Sequence, residues 1–407
     1  MRRAVLWVSS VAAVVLVIAS VPLVWKFGVR LLEHTKQGAG GDPVPIQTAD
    51  LTGSGPGSLV SAMTMPPLVR TEEGKVLQAA RVEYRSTSGD TGRETVVSGA
   101  VFTPLGEPPE GGWPVVALGH GTTGIDEACA PSLSDTLLGL STPVAGFVKN
   151  GYAVALPDYQ GLGSPGVHPY TDARTAGLNM IDSVRALRHT FKNVSNRWVA
   201  VGGSQGGGAA WAADEQAGTY APDLDLVGAV AYSPAIDVSG MVNKAQAGTL
   251  TVDQMAAFQA IIESLARLHS DLNRDEFRHG AADKYWDVLS ACSGPKVSDR
   301  TAAIQALQPT DLAPATPAAA AQLHKLISAW SLPQQRLSAP LSVAYGGKDT
   351  YVDAQWTTDA IARACALGGT VQWQLQPDKG HGDVDIASQF TWIADRFAGK
   401  PVTNDCP

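Results

Sequence analysis

Gly202-Gly203-Ser204-Gln205-Gly206 constrains this chain more than any other stretch. It follows the apolar run Trp198-Val199-Ala200-Val201 and leads into the small-residue run Gly207-Gly208-Ala209-Ala210-Trp211-Ala212-Ala213. A strand, a Gly-x-Ser-x-Gly turn and a helix in that order make a nucleophile elbow. The serine has to sit on a sharp, strained turn so that its hydroxyl projects above the sheet edge. A side chain at either outer glycine would collide with the strand or helix that the turn brings together. Glycine and alanine just after the turn let the helix pack close beneath the strand. A bare Gly-x-Ser-x-Gly recurs by chance, so its flanks carry the weight.

The surrounding pattern fits such an element. Arg81–Tyr84 and Thr95–Phe102 alternate as antiparallel strands with one wet face should, whereas Val115–Leu118 and Tyr152–Leu156 are short continuous apolar runs, expected of parallel strands buried on both faces. Ile181, Val184, Leu187 and Phe191 repeat at helical spacing, with Asp182, Arg185 and Arg188 on another face. Strand patterns continue at Trp198–Val201, Leu226–Tyr232, Leu341–Tyr345 and Val371–Leu375, and a helix is expected over Ala354–Leu367. A mixed sheet, antiparallel at its start and parallel afterwards, flanked by helices, is the α/β-hydrolase pattern. From about 234 to 338 the alternation stops. Met255, Phe258, Ile261, Ile262, Leu265 and Leu268, then Tyr285, Trp286 and Leu289, then Leu323, Leu326, Ile327 and Trp330 follow helical spacing. This reads as a helical cap inserted above the sheet, a lid or acyl-pocket wall, with the Ala- and Pro-rich stretch at 313–321 as a loop within it. The catalytic domain is then 58–233 with 339–407, and the cap 234–338.

The amino terminus is a separate object. Arg2 and Arg3 precede residues 4–25, which carry no charge, and Lys26 and Arg30 follow. The segment is long enough to span a bilayer, for which about 20 residues suffice. It also has the basic start and apolar middle of a signal peptide, with Val17-Ile18-Ala19 as a cleavage site. The apolar run continues past Ala19 through Val21, Leu23 and Val24, which favours an uncleaved membrane anchor. Residues 26–57, rich in Gly, Pro, Ser and Thr, read as a flexible tether. Four cysteines, Cys129, Cys292, Cys365 and Cys406, without Cys-x-x-Cys spacing, point to two disulfides in an oxidising compartment rather than to a metal site. Three pairings are open. A net charge of −8 without a basic block argues against nucleic acid as a partner.

A serine hydroxyl is a weak nucleophile that needs a base, and the base needs an anion to fix its tautomer. In this fold the order is Ser, then Asp or Glu, then His. Asp349 lies in the loop after strand Leu341–Tyr345 and is the expected acid. Asp353, the runner-up, stands where the next helix opens and reads as its cap. His381 sits in a Gly380-His381-Gly382 turn after the last strand and is the expected base. The other seven histidines, at 34, 120, 168, 189, 269, 279 and 324, follow no late strand in such a turn. The oxyanion hole should combine the amide of Gln205 with one from Gly119-His120-Gly121-Thr122-Thr123-Gly124, Thr122 first and Thr123 next. His120 is expected to order that loop. Asp158, in the Asp158–Pro165 turn, is expected to hold backbone amides at the site's rim. Asn193-Val194-Ser195 matches a glycosylation sequon, a short pattern of little weight.

The Gly119–Gly124 loop running into Cys129-Ala130-Pro131-Ser132, the turn Asp158-Tyr159-Gln160-Gly161-Leu162-Gly163 and the Ser204 elbow together resemble the secretory lipase family of the fungal lipase A type. The resemblance spans roughly 58–406. It implies an α/β hydrolase with a helical cap, acting on carboxylic esters including acylglycerols, with Ser204, Asp349 and His381 as its triad and no metal or organic cofactor. It also implies the pairings Cys129–Cys292 and Cys365–Cys406. In the fungal enzymes an acidic residue contributes to the oxyanion loop, where this chain carries threonines. The expected function is thus a secreted or cell-surface serine esterase or lipase. Alternatives on the same fold are an envelope acyltransferase and a catalytically silent binding module.

Overall fold

The computed structural model describes residues 41–407. The anchor or signal expected over 1–25 and the first part of the tether lie outside them. Among the described residues, no helix is long and apolar enough to cross a membrane.

Nine strands form one sheet: β1 (Leu59–Thr64), β2 (Leu77–Thr87), β3 (Glu94–Pro104), β4 (Trp113–Gly119), β5 (Ala153–Pro157), β6 (Val194–Gly203), β7 (Asp225–Tyr232), β8 (Leu341–Gly346) and β9 (Val371–Gln376). Their spatial order is β1-β2-β3-β5-β4-β6-β7-β8-β9. The β1–β2, β2–β3 and β3–β5 pairs are antiparallel and every later pair is parallel. This is the α/β-hydrolase architecture expected from the pattern. The chain leaves β4 toward β5 on one side and returns as β6 on the other. The carboxyl ends of β4 and β6 therefore flank the point where strand order reverses, which is where open α/β sheets bind ligands.

Two-residue periodicity distributes each buried strand over two cores. In β4, Val115 and Ala117 join Met180, Ile181 and Val184 of α2 (Ala173–Thr190) and the alanines of α3 (Gln205–Tyr220). Val116 and Leu118 face the opposite side, with Val144 and Phe147 of α1 (Ser141–Lys149) and Trp392 and Ile393 near the carboxyl terminus. Because both faces are covered, the strands read as unbroken apolar runs.

Between β7 and β8 lie five α-helices, α4 (Gly240–Ala247), α5 (Val252–Leu268), α6 (Gly280–Leu289), α7 (Val297–Ala306) and α8 (Pro317–Trp330), with a short 3-10 turn at Arg274–Phe277. They gather their own apolar cluster around Phe258, Ile261, Leu265, Trp286, Leu323 and Trp330. The alanine- and proline-rich stretch is a correction to the expected loop, since its second half is helical. Pro317 opens α8, and Thr316 Oγ1 accepts a hydrogen bond from Ala319 N at 3.1 Å. Proline at the first helical position and alanine after it favour a helix once a threonine caps the start. After β8 follow α9 (Ala354–Ala366) and, beyond β9, α10 (Ala387–Phe397).

The stretch read as a tether is only partly free of the domain. Ile46 N donates to Ala62 O (3.0 Å), Asp50 N to His189 O (2.8 Å) and Gly57 N to Arg85 O (2.7 Å), while Ile46 and Ala49 pack on the core. From Val44 onward these residues run along the edge strand β1 and cover part of it. Edge strands benefit from such cover, because their outer N–H and C=O groups are otherwise unpaired.

Candidate active site

The β6–α3 turn sets everything else. Ser204 has φ 57° and ψ −123°, a strained backbone for any residue with a side chain. Neighbouring chain holds it there: Ser204 N donates to Tyr232 O at 3.0 Å, and Ser204 O accepts from Ala235 N at 2.9 Å. The glycines are demanded by contact. A Cβ on Gly202 would lie 2.1 Å from Gly206 O, and one on Gly206 would lie 2.1 Å from Gly119 O. Strand β4, strand β6 and helix α3 thus touch backbone to backbone at this turn.

The structure brings Ser204, His381 and Asp349 together. His381 Nε2 lies 2.9 Å from Ser204 Oγ, and its Nδ1 lies 2.7 Å from Asp349 Oδ2. A carboxylate can only accept, so Nδ1 carries the proton and Nε2 is free to accept from the serine hydroxyl. The His381 and Asp349 side chains are 10% and 2% exposed, dry enough for their hydrogen bond to be little screened. Asp349 is fixed from behind, its Oδ1 accepting from Tyr351 N (2.8 Å) and Val352 N (2.9 Å). The acid and base loops are joined by Lys348 N donating to Lys379 O at 2.8 Å.

Two further groups that sequence reasoning missed hold the histidine. Ser233 Oγ donates to His381 O at 2.9 Å, and the Tyr351 ring lies against the imidazole with centroids 4.7 Å apart. Only the position of Tyr351, two residues beyond the acid, could have hinted at its role.

Asp353 is elsewhere, and not for the reason expected. It precedes α9, but its carboxylate caps no amide. It pairs with Lys244 Nζ at 2.9 and 3.0 Å and accepts from Gln254 Nε2 at 2.8 Å, tying α4 and α5 to the start of α9.

On the oxyanion side, Gln205 is the first residue of α3, so its N–H has no intrahelical acceptor. Thr122 Oγ1 is 2.7 Å from Tyr170 OH, and Thr123 Oγ1 is buried without a partner among the described residues. His120 is buried, its Nδ1 2.6 Å from Gly121 O and its Nε2 3.2 Å from Asp158 O. Burial holds its pKa below the ordinary histidine value. Asp158 is also buried and touches no triad member. It accepts from Ser98 Oγ (2.6 Å), Ser132 N (2.8 Å) and Ser132 Oγ (2.5 Å), and burial raises its pKa. Its work is to pin the 130–132 loop against β3.

Cys129 is bonded to Cys292 and Cys365 to Cys406. The first bond links the loop beyond Gly124 to the chain just past α6. The second links α9 to the carboxyl terminus. Among the described residues, no group of three or more His, Cys, Asp or Glu side chains could hold a metal ion.

A family model described as secretory lipase matches residues 140–405. A probable inactive lipase of Mycobacterium tuberculosis is 26% identical over 347 residues, covering 80% of this chain and 75% of that one. Candida antarctica lipase A in its closed state superposes with a TM-score of 0.69 at 16% identity, over 89% of this chain and 87% of the other. The rice cell wall degrading esterase LipA of Xanthomonas oryzae gives 0.64 at 19% identity, over 85% and 97%.

Proposed function

The chain belongs to the secretory lipase family, and from that premise we propose that it is a serine carboxylic-ester hydrolase working through an acyl-enzyme. One observation carries the reading: the unbroken relay from Ser204 Oγ through His381 to Asp349, at 2.9 and 2.7 Å. Ser204 Oγ attacks the ester carbonyl carbon while its proton passes to His381 Nε2. The carbonyl oxygen becomes an oxyanion facing the Gln205 amide and the 119–124 loop. Collapse expels the alcohol, which takes the proton from His381 Nε2 as it leaves. Water, deprotonated by the same nitrogen, then frees the acid and restores Ser204. Asp349 keeps the histidine in the working tautomer and stabilises its cation.

The Mycobacterium tuberculosis relative is named an inactive lipase, so a silent member of the fold is the reading to beat. What favours catalysis here is that serine, base and acid are all present and hydrogen-bonded. The substrate class is an acyl ester, lipid esters included. Two disulfides and membership of a secretory family fit a secreted protein. Retention by residues 4–25 is part of the proposal, checked by sequencing the amino terminus of the mature protein. The main test is a fluorophosphonate probe with p-nitrophenyl esters. Wild type should be labelled and turn over, and Ser204→Ala should do neither. Labelling of the alanine variant at the wild-type rate would end the proposal.

A further inference from the structure

The Gln205 side chain is buried, and its Nε2 lies 3.0 Å from His168 Nε2. His168 is 2% exposed, and its other nitrogen, Nδ1, lies 2.8 Å from Gln160 O. A carbonyl only accepts, so Nδ1 bears the proton and Nε2 presents a lone pair. Gln205 must therefore offer its NH2. Burial pushes the His168 pKa down to about 3, so the ring stays neutral and keeps that tautomer at working pH.

Two residues on, Tyr170 OH meets Thr122 Oγ1 at 2.7 Å. Ser264 of α5 clasps both from the cap: its Oγ accepts from Tyr170 N at 2.9 Å and donates to His168 O. One short segment thus touches Gln205 at the start of α3, Thr122 in the β4 loop, and the cap.

We infer that His168 is a positioning residue for the oxyanion side of the site. Through the Gln205 carboxamide it fixes the first turn of α3, and with Tyr170 it registers both donor-bearing elements against each other and against α5. The inference deepens the esterase reading and rests on it for its kinetic consequence. A hole donor is worth most when it needs no reorganisation, and a displacement of about 1 Å can cost about 100-fold. A shifted hole weakens only the interaction with the oxyanion, so kcat should fall while KM holds.

The test compares His168→Phe, which keeps bulk and loses the acceptor, with His168→Gln, whose Oε1 can accept from Gln205. The phenylalanine variant should lose about 10- to 100-fold in kcat with KM within about twofold, and phenylboronic acid inhibition should weaken by a similar factor. The glutamine variant should recover most of both. Gln205→Met cuts the same hydrogen bond from its other end and should match His168→Phe. It also serves if the phenylalanine variant does not fold, and the double variant should be no worse than either single. Unchanged kcat in His168→Phe, or equal losses in the Phe and Gln variants, would overturn the inference. Hydrogen exchange of the 119–124 and 204–210 amides supplies a readout without turnover. Faster exchange at both in His168→Phe sustains the clamp even if wild type proves inactive, an outcome that would sink only the esterase reading. Unchanged exchange at both would sink the clamp.

Discussion

The two disulfides offer a comparison in which most unknowns cancel. Cys129–Cys292 closes a loop of 163 residues and Cys365–Cys406 one of 41. In the chain-entropy model, removing them costs about 5 and about 4 kcal/mol respectively. The difference, (3/2)RT ln(163/41), is about 1 kcal/mol and does not depend on the constant in that model. Packing adds in the same direction. Cys129 is 1% exposed within the sheet's core cluster, whereas its partner Cys292 and both Cys365 and Cys406 sit at the margin. Cys129→Ala/Cys292→Ala should therefore lose more stability than Cys365→Ala/Cys406→Ala, by at least about 1 kcal/mol, in urea titrations followed by tryptophan fluorescence with equal slopes required. The first pair should also lower kcat, because Gly124 is packed so tightly on this bond that a Cβ there would lie 2.3 Å from Cys129 Sγ. If the short loop's removal costs as much or more, chain entropy is not what this bond supplies.

Asp349→Asn should cut kcat by about 10⁴-fold. Tyr351 N and Val352 N hold the amide oxygen, so its NH2 faces His381 Nδ1, and the ring is driven into the tautomer that cannot accept from Ser204. Asp353→Asn, measured beside it, should leave kcat near wild type. Asp214, fully buried, accepts from Ser338 N (2.9 Å) and Ala339 N (2.8 Å), and burial raises its pKa to about 8. The folded state thus holds a proton that the unfolded chain releases near pH 4. Its contribution is full below that pH and is lost as pH rises through about 8, by up to about 1.4 kcal/mol per pH unit. Asp214→Asn should flatten the fall in Tm between pH 5 and 9, and parallel profiles for the two proteins would refute the assignment. Glu215, raised to about 7, acts in the same direction in both.

What the sequence determined by itself was whatever depends on short-range chemistry. The buried strands announced themselves because both faces of the sheet are covered, and the elbow because only glycine survives at Gly202 and Gly206. Asp349 and His381 were legible because each lies in the loop after a late strand, in the Ser, Asp, His order that this fold uses. The tertiary structure decided what depends on a neighbour distant in number. Strand β1 is an edge strand of six residues, too short for its alternation to stand out, and it is fixed by pairing with β2. Helix α8 emerges from an alanine-proline stretch because Thr316 is free to cap it. Asp353 turned from a cap into an ion-pair partner because α4 brings Lys244 to it. Ser233 and His168 carry no local signal, and Tyr351 only its place two residues beyond the acid, since a hydrogen bond or ring contact across the fold leaves no periodicity in the chain. Local sequence fixes the conformations a segment can hold, and only packing fixes which side chains then meet.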